Sequence, residues 1–498
     1  MERPKPARDL DWAPARAREL GDRVVMLWQE LLEKLPALPV RHTKGEAAVR
    51  EAVTFPIPDE PLSLDALLAH MRSVALEHST LTGHPRFMAY ITGAGTVPGA
   101  AADLLAAALN QNVGGWMLSP AATSIELHLT QWFAEQLGLP KGAFGLLVSG
   151  GAMANFVALK AARDARIGLD VRKEGLRGRT IALYASTEAH AVIDRAADML
   201  GLGTNAVRKI PVDHAGRMRV DLLEAEIAKD VAAGVEPGIV VGTAGTVATG
   251  AIDPLSELAE LCSRHHLWFH VDGAYGALAA LTDELRPLFR GLERADTIAF
   301  DPHKWMYTPH SGGCVIAREP QRLADAFALK PTYIQQDKTR TGAGIDFSMM
   351  GPQFSRGFQA FKIWISLLAH GKRAYTKRIA HDVALARYMA SRAEAHPNLE
   401  VMAPVTLSIC CFRYVPEGLP PGSDAYLDAL NERLMNEIQM DGRAFCSNAI
   451  LNGRFVLRAC IVNFRTEAAD VDAMLDVAVE LGTRLHLSGA GERLERGM

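Results

Sequence analysis

Between residues 144 and 317, short apolar and β-branched runs recur at Phe144–Val148, Thr180–Tyr184, Ile239–Thr243, Leu267–Val271, Thr297–Phe300 and Cys314–Ala317. Helical stretches lie between several of them, at Ala152–Ile167, Ala189–Leu200, Asp221–Ala232 and Pro254–His265. Strands buried on both faces and separated by helices predict an α/β fold with a mostly parallel sheet flanked by helices. Ligands of such sheets bind outside the carboxyl ends of the strands, so the residues just after each run are where chemistry belongs. Upstream, the chain reads as helical between Leu20 and Leu35, followed by a proline-containing connector at Phe55–Pro61. The apolar stretch Ala100–Leu109, interrupted by Asp103, reads as a buried helix. From about residue 380 the pattern changes. A helix at Ala380–Ala395 precedes strand-like runs at Leu407–Tyr414 and Phe455–Val462, with a helix between them, which predicts a smaller α+β domain. The expected division is a helical segment over 1–85, a large α/β domain over 86–380 and the small domain over 381–498.

Composition narrows the classes without choosing one. The chain has 498 residues, 49% hydrophobic and 22% charged, as in ordinary globular proteins. Its 57 acidic and 53 basic residues are interspersed and leave a net charge of only −4, so no broad field suggests nucleic acid or an anionic membrane as a partner. No stretch reaches the roughly 18 unbroken apolar residues of a membrane span. The first 20 residues lack the apolar centre of a secretory signal. Six cysteines show neither a metal-type spacing nor a disulfide framework, so no metal is expected and a cytoplasmic enzyme is the simplest reading.

The sharpest local signal is Asp301-Pro302-His303-Lys304-Trp305, directly after a strand run. A lysine at a strand end beside an imidazole suits a Schiff-base nucleophile, although a lone lysine there is more often an ordinary surface residue. Its company changes that balance. Asp272 ends the apolar run in His270-Val271-Asp272-Gly273-Ala274-Tyr275-Gly276, where an unpaired carboxylate is costly. A protonated pyridine nitrogen would neutralise it and become an electron sink. Ser149-Gly150-Gly151-Ala152-Met153-Ala154-Asn155 joins a strand to a helix, and such a turn offers free N–H groups to a phosphate. It is neither a dinucleotide fingerprint nor a P-loop. His190 follows another strand and begins a helix, placed to stack on a ring.

In this order the motifs resemble those of the group II pyridoxal-phosphate decarboxylases, which include aromatic-L-amino-acid, histidine-type and glutamate decarboxylases. The likeness runs from about His84 to the C-terminus. It includes His84-Pro85-Arg86-Phe87, Ser119-Pro120-Ala121 with Glu126, and Thr243-Ala244-Gly245-Thr246 leading to Asp253-Pro254. Ser355-Arg356 with Lys362 and Trp364, and Leu457-Arg458 with Asn463 and Arg465-Thr466, complete it. The resemblance implies a fold-type-I enzyme whose large domain holds a seven-stranded sheet, with pyridoxal 5′-phosphate as cofactor. It implies that Lys304 forms the Schiff base, Asp272 pairs with the pyridinium, His190 stacks on the ring and Ala274 lies beneath it. Gly150, Gly151 and Ala152 would line the phosphate site, with Thr246, Asp301 and His303 as further contacts. Position 301 is often Asn in animal relatives, and Val247 stands where some relatives have a second Thr.

The cofactor alone permits several reactions, and the resemblance points to decarboxylation of an L-amino acid to its amine through a quinonoid intermediate. Tyr333, in the run Pro331-Thr332-Tyr333-Ile334 before a polar, glycine-bearing stretch, would protonate Cα as a general acid. By the same likeness Tyr90, Ile91, Thr92, Asn112, Gly114 and Trp116 should line the side-chain pocket. Ala89-Tyr90 replaces the Asn-Gln of glutamate decarboxylases and favours an aromatic substrate. Gly114 and Ile91 replace aromatic rings of that branch and are expected to enlarge the pocket. The alternatives are a decarboxylase of non-aromatic amino acids and an aldehyde-forming decarboxylase or oxidase on the same fold. A homodimer with active sites at the interface, the segment 1–85 packing on the partner, is also implied.

Overall fold

The computed structural model describes residues 10–42, 44–329 and 344–495. Its strands run in chain order as β1 (Phe87–Met88), β2 (Phe144–Val148), β3 (Ile181–Ser186), β4 (Val207–Ile210), β5 (Glu236–Thr243), β6 (Trp268–Asp272), β7 (Thr297–Phe300), β8 (Gly313–Ala317), β9 (Leu399–Val401), β10 (Ile409–Tyr414), β11 (Phe445–Leu451) and β12 (Arg454–Cys460). Seven of them form the large sheet in the order β2-β8-β7-β6-β5-β3-β4. The pairs from β4 through β7 are parallel, whereas β8 runs antiparallel to both β7 and β2. Every residue of β3, β6, β7 and β8 is buried, which is why those runs are mostly apolar. Helices Gly151–Ile167 and Leu255–Arg264 pack on the sheet.

The six predicted strands are all present. The seventh, β4, is a short edge strand reading Val-Arg-Lys-Ile with only its two ends buried, too weak a pattern to stand out. The small sheet has the order β1-β11-β12-β10-β9 and is antiparallel except for β1, which joins β11 in parallel. Thus Phe87 and Met88, near the start of the large unit in sequence, hydrogen-bond into the C-terminal sheet.

Two helix readings need correction. The helix expected from Ala380 begins at Ala360 and runs to Glu394, broken where Gly371 takes φ 71° and ψ 153°. The apolar stretch expected to be buried forms the helix Val97–Leu109, but only Gly99 and Ala102 are buried, and Leu104, Leu105 and Leu109 are at least half exposed. Its small-residue face packs on the Ala360–Glu394 helix, and Asp103 pairs with Lys362 at 3.0 Å. The leucines therefore turn outward.

Candidate active site

The carboxyl ends of β5, β6 and β7, together with the start of helix Gly151–Ile167, surround one cleft. β7 ends at Phe300, and Asp301-Pro302 starts a single helical turn over Pro302–Trp305, with proline at its favoured first position. That turn brings Lys304 back over the strand end. Lys304 Nζ lies 3.0 Å from Asp301 Oδ2, and both side chains are largely buried. Asp272 ends the neighbouring strand β6 and accepts the N–H of Ala274 at 3.1 Å. It is 5% exposed. Lys304 and Asp272, 32 positions apart, face the same cleft because β6 and β7 are parallel neighbours in register.

Of the ten residues expected to hold the cofactor, Gly151, Ala152, His190, Asp272, Ala274, Asp301 and Lys304 line the cleft. The remaining three, Gly150, Thr246 and His303, are not among its lining residues. Thr246 is buried and spends its hydroxyl inside its own turn, accepting the Ala251 N–H at 3.1 Å. His303 Nδ1 lies 2.6 Å from the Gly312 carbonyl and Nε2 lies 3.7 Å from Asp301. Burial pushes the His303 imidazole below its usual value, and the Asp301 carboxylate offsets part of that. His190 is exposed and precedes the helix Val192–Met199 rather than beginning it, its Nδ1 accepting the Val192 N–H at 3.0 Å.

Reading the sequence missed Asn155, Val192, Thr243, Gly245 and Tyr275 as cleft walls, while Val247, noted as the counterpart of a second Thr in relatives, also lines the cleft. Most of them lie inside motifs already singled out, but nothing in residue type ranks them above their neighbours. The predicted side-chain pocket is less direct. None of Tyr90, Ile91, Thr92, Asn112, Gly114 and Trp116 is among the lining residues of this cleft. Tyr90 joins it through Arg458, which donates to the Tyr90 carbonyl at 2.9 Å and to the Val247 carbonyl at 2.7 Å. Tyr90 is 60% exposed and holds φ 55°, a left-handed conformation uncommon outside glycine. Gly114 does not enlarge the pocket as expected: a Cβ there would stand 2.2 Å from the Phe354 carbonyl oxygen, so backbone already fills that space. Trp116 donates its N–H to Asp346 at 3.1 Å, and Asn112 accepts the N–H groups of Gly114 and Arg356. Tyr333 lies outside the described residues.

The residues of the cleft fit pyridoxal phosphate. Met153 and Ala154 both donate to the Gly150 carbonyl, which leaves the N–H groups of Gly151 and Ala152 as those a helix start offers an anion. A Cβ on Gly151 would stand 2.8 Å from Asp301 Oδ2 and 3.0 Å from the Ala274 methyl, so only glycine keeps that cradle open. Among the described residues, Asp301 Oδ1 and Thr243 Oγ1 are buried without a hydrogen-bond partner, polar capacity that a polar ligand would satisfy.

The pyridoxal-dependent decarboxylase conserved domain matches residues 48–415, well over half of the chain. The chain is 33% identical over 465 residues to an aromatic-L-amino-acid decarboxylase of Bacillus atrophaeus, covering 93% of this chain and 95% of that one. It is 28% identical to tyrosine decarboxylase 4 of Petroselinum crispum over 470 residues, 92% of each chain. The crystal structure of Oryza sativa TDC with PLP and tryptamine superposes with a TM-score of 0.89 at 26% identity, covering 95% of this chain and 99% of that one. With a lysine and an aspartate at adjacent strand ends over a glycine-started helix, the chain belongs to the group II pyridoxal-phosphate-dependent amino acid decarboxylases.

Proposed function

We propose that this decarboxylase acts on aromatic L-amino acids and releases the corresponding amines and carbon dioxide. The observation that carries the chemistry is the convergence of Lys304 and Asp272 on one cleft. The aromatic preference is supported by relatives named for aromatic substrates and by Tyr90 at the expected pocket.

In this reading Gly150, Gly151 and Ala152 would hold the phosphate, Asp272 would pair with the protonated ring nitrogen, and Lys304 would bind the aldehyde as a Schiff base. His190 and Ala274 would flank the ring, and Thr246, Asp301 and His303 would be further contacts. When bound, the cofactor supplies an electron sink for the pair left on Cα as the carboxylate departs. Asp301, 3.0 Å from Lys304 Nζ, keeps that side chain directed into the cleft. Tyr333 delivers a proton to Cα, so that the product is an amine.

We also place the enzyme in the cytoplasm as a homodimer with the site completed by the partner, the segment 1–85 packing on it. Free, buried cysteines support a reducing compartment. The exposed Leu104, Leu105, Leu109, Met117 and Leu118 support a covered apolar face. Among the described residues no helix is long and apolar enough to cross a membrane.

The test is carbon dioxide release from tryptophan, DOPA, tyrosine, phenylalanine, histidine and glutamate, with amine measured alongside. Turnover fastest on an aromatic side chain, with equal carbon dioxide and amine and none in Lys304→Ala, is the expected result. Faster turnover of histidine or glutamate overturns the substrate, and carbon dioxide with aldehyde overturns the product.

A further inference from the structure

A chain of buried hydrogen bonds runs from the middle of the large sheet to the first turn of helix Gly151–Ile167. The Trp268 indole N–H donates to Thr297 Oγ1 at 3.1 Å. His270 Nδ1 lies 3.0 Å from Thr297 Oγ1 and 3.2 Å from the Thr297 carbonyl, and His270 Nε2 lies 2.8 Å from Asn155 Oδ1. Asn155 Nδ2 then donates to the Gly151 carbonyl at 2.8 Å. Thr297, His270 and Asn155 are wholly buried.

Its direction is set at the Gly151 end. An indole N–H can only donate and a carbonyl can only accept. The Gly151 carbonyl therefore takes the Asn155 amide N–H, which turns Asn155 Oδ1 towards His270 Nε2. A neutral imidazole then carries its proton on Nε2 and donates to Asn155 Oδ1, leaving the amide N–H for Gly151. The opposite tautomer would turn Asn155 around and set its oxygen against the Gly151 carbonyl. Burial supports the neutral ring, pushing His270 down to about 4 despite the nearby Asp272 carboxylate.

The consequence lies in one peptide plane. Carbonyl and N–H of a trans peptide point in opposite directions. Holding the Gly151 carbonyl towards Asn155 therefore aims the Ala152 N–H the other way, out of the helix start.

We propose that His270 and Asn155 are positioning residues for the cofactor's phosphate, fixing the Gly151–Ala152 peptide so that the Ala152 N–H meets the anion. This rests on the reading that Gly150, Gly151 and Ala152 form the phosphate turn. Neither side chain touches the phosphate in this scheme. They act through the backbone they hold.

The test is the affinity of the full chain, freed of cofactor by dialysis, for pyridoxal phosphate and for pyridoxal, which lacks the phosphate. His270→Ala and Asn155→Ala should each weaken pyridoxal phosphate by about tenfold, the scale of one lost hydrogen bond, and leave pyridoxal unchanged. The double variant should be no worse than either single one, because the two act in series. His270→Gln, able to accept from Thr297 and donate to Asn155, should restore most of the preference. Equal losses for both ligands, or no loss, overturn the proposal. Asn155→Ala, on a different element, keeps the test open should His270→Ala fail to fold. Gly151→Ala separates the inference from its premise. If that variant leaves the ratio of the two affinities unchanged, the phosphate does not bind on this turn and the underlying reading fails. If Gly151→Ala lowers the ratio and the His270 and Asn155 variants do not, only the positioning role fails.

Discussion

Arg356→Met should destabilise the protein by about 3–5 kcal/mol, the range for breaking a buried ion pair from one side. The guanidinium is 4% exposed and its partner Glu126 is 1% exposed. Arg356 Nη2 donates to Glu126 and, at 2.6 Å, to the Leu147 carbonyl, while Nη1 donates to the Val113 carbonyl at 3.2 Å. Methionine fills much of the same volume, so little of the loss comes from a cavity. The cost arises because Glu126 is left charged, out of water, with only the Leu147 N–H at 2.8 Å to stabilise it. Equilibrium urea unfolding at fixed protein concentration, followed by far-UV circular dichroism, measures the difference. Removing both charges in Glu126→Leu/Arg356→Met should recover most of it, because neither partner is then stranded. A single-variant loss below about 1 kcal/mol, or a double variant as unstable as the sum of the singles, would refute the reasoning.

Asp253→Asn should cost about 1–3 kcal/mol and loosen cofactor retention. Asp253 accepts the Met218 N–H on one oxygen at 2.7 Å and the Thr243 N–H on the other at 2.8 Å, and an amide turns one of those acceptors into a donor. Melting temperature with and without cofactor measures both effects. For pH, the folded state keeps His270 neutral down to about 4, whereas the unfolded chain protonates it near the ordinary value of 6.5. Its contribution is therefore intact at neutral pH and lost as pH falls through that window, up to roughly 3 kcal/mol. Burial pushes Asp253 up to about 6 and Asp382 up to about 7, and both act with the opposite sign. The clean measurement is thus the stability gap between wild type and His270→Gln, which should narrow between pH 7 and pH 4.5. A constant gap would show that His270 is not held neutral. Finally, Tyr333→Phe should divert product from amine towards aldehyde, ammonia and peroxide in a product assay, and unchanged amine yield would remove Tyr333 from the proton-transfer role.

The strands of the large sheet were legible because complete burial leaves mainly apolar residues in β3, β7 and β8. Lys304 and Asp272 stood out for the same reason, as charged groups placed directly after such runs. Edge strand β4 and the small-sheet strands β9 and β11 were not legible, since half-exposed strands tolerate charge and dilute the pattern. Helix Val97–Leu109 was misread because an apolar sequence does not state what covers it.

Local sequence determined which side chains were available and which backbone each occupies: a proline starting the Lys304 turn, a glycine opening the Gly151 helix, an aspartate closing β6. Only the tertiary structure decided which of them meet. The approach of Arg356 to Glu126, of Arg458 to Tyr90 and to Val247, and of His270 to Asn155 depends on separations of 230, 368, 211 and 115 residues. Contacts across such distances are set by how sheets and helices stack, not by any local preference. That is why the chemistry could be named from motifs, while the shell that aims it required the fold.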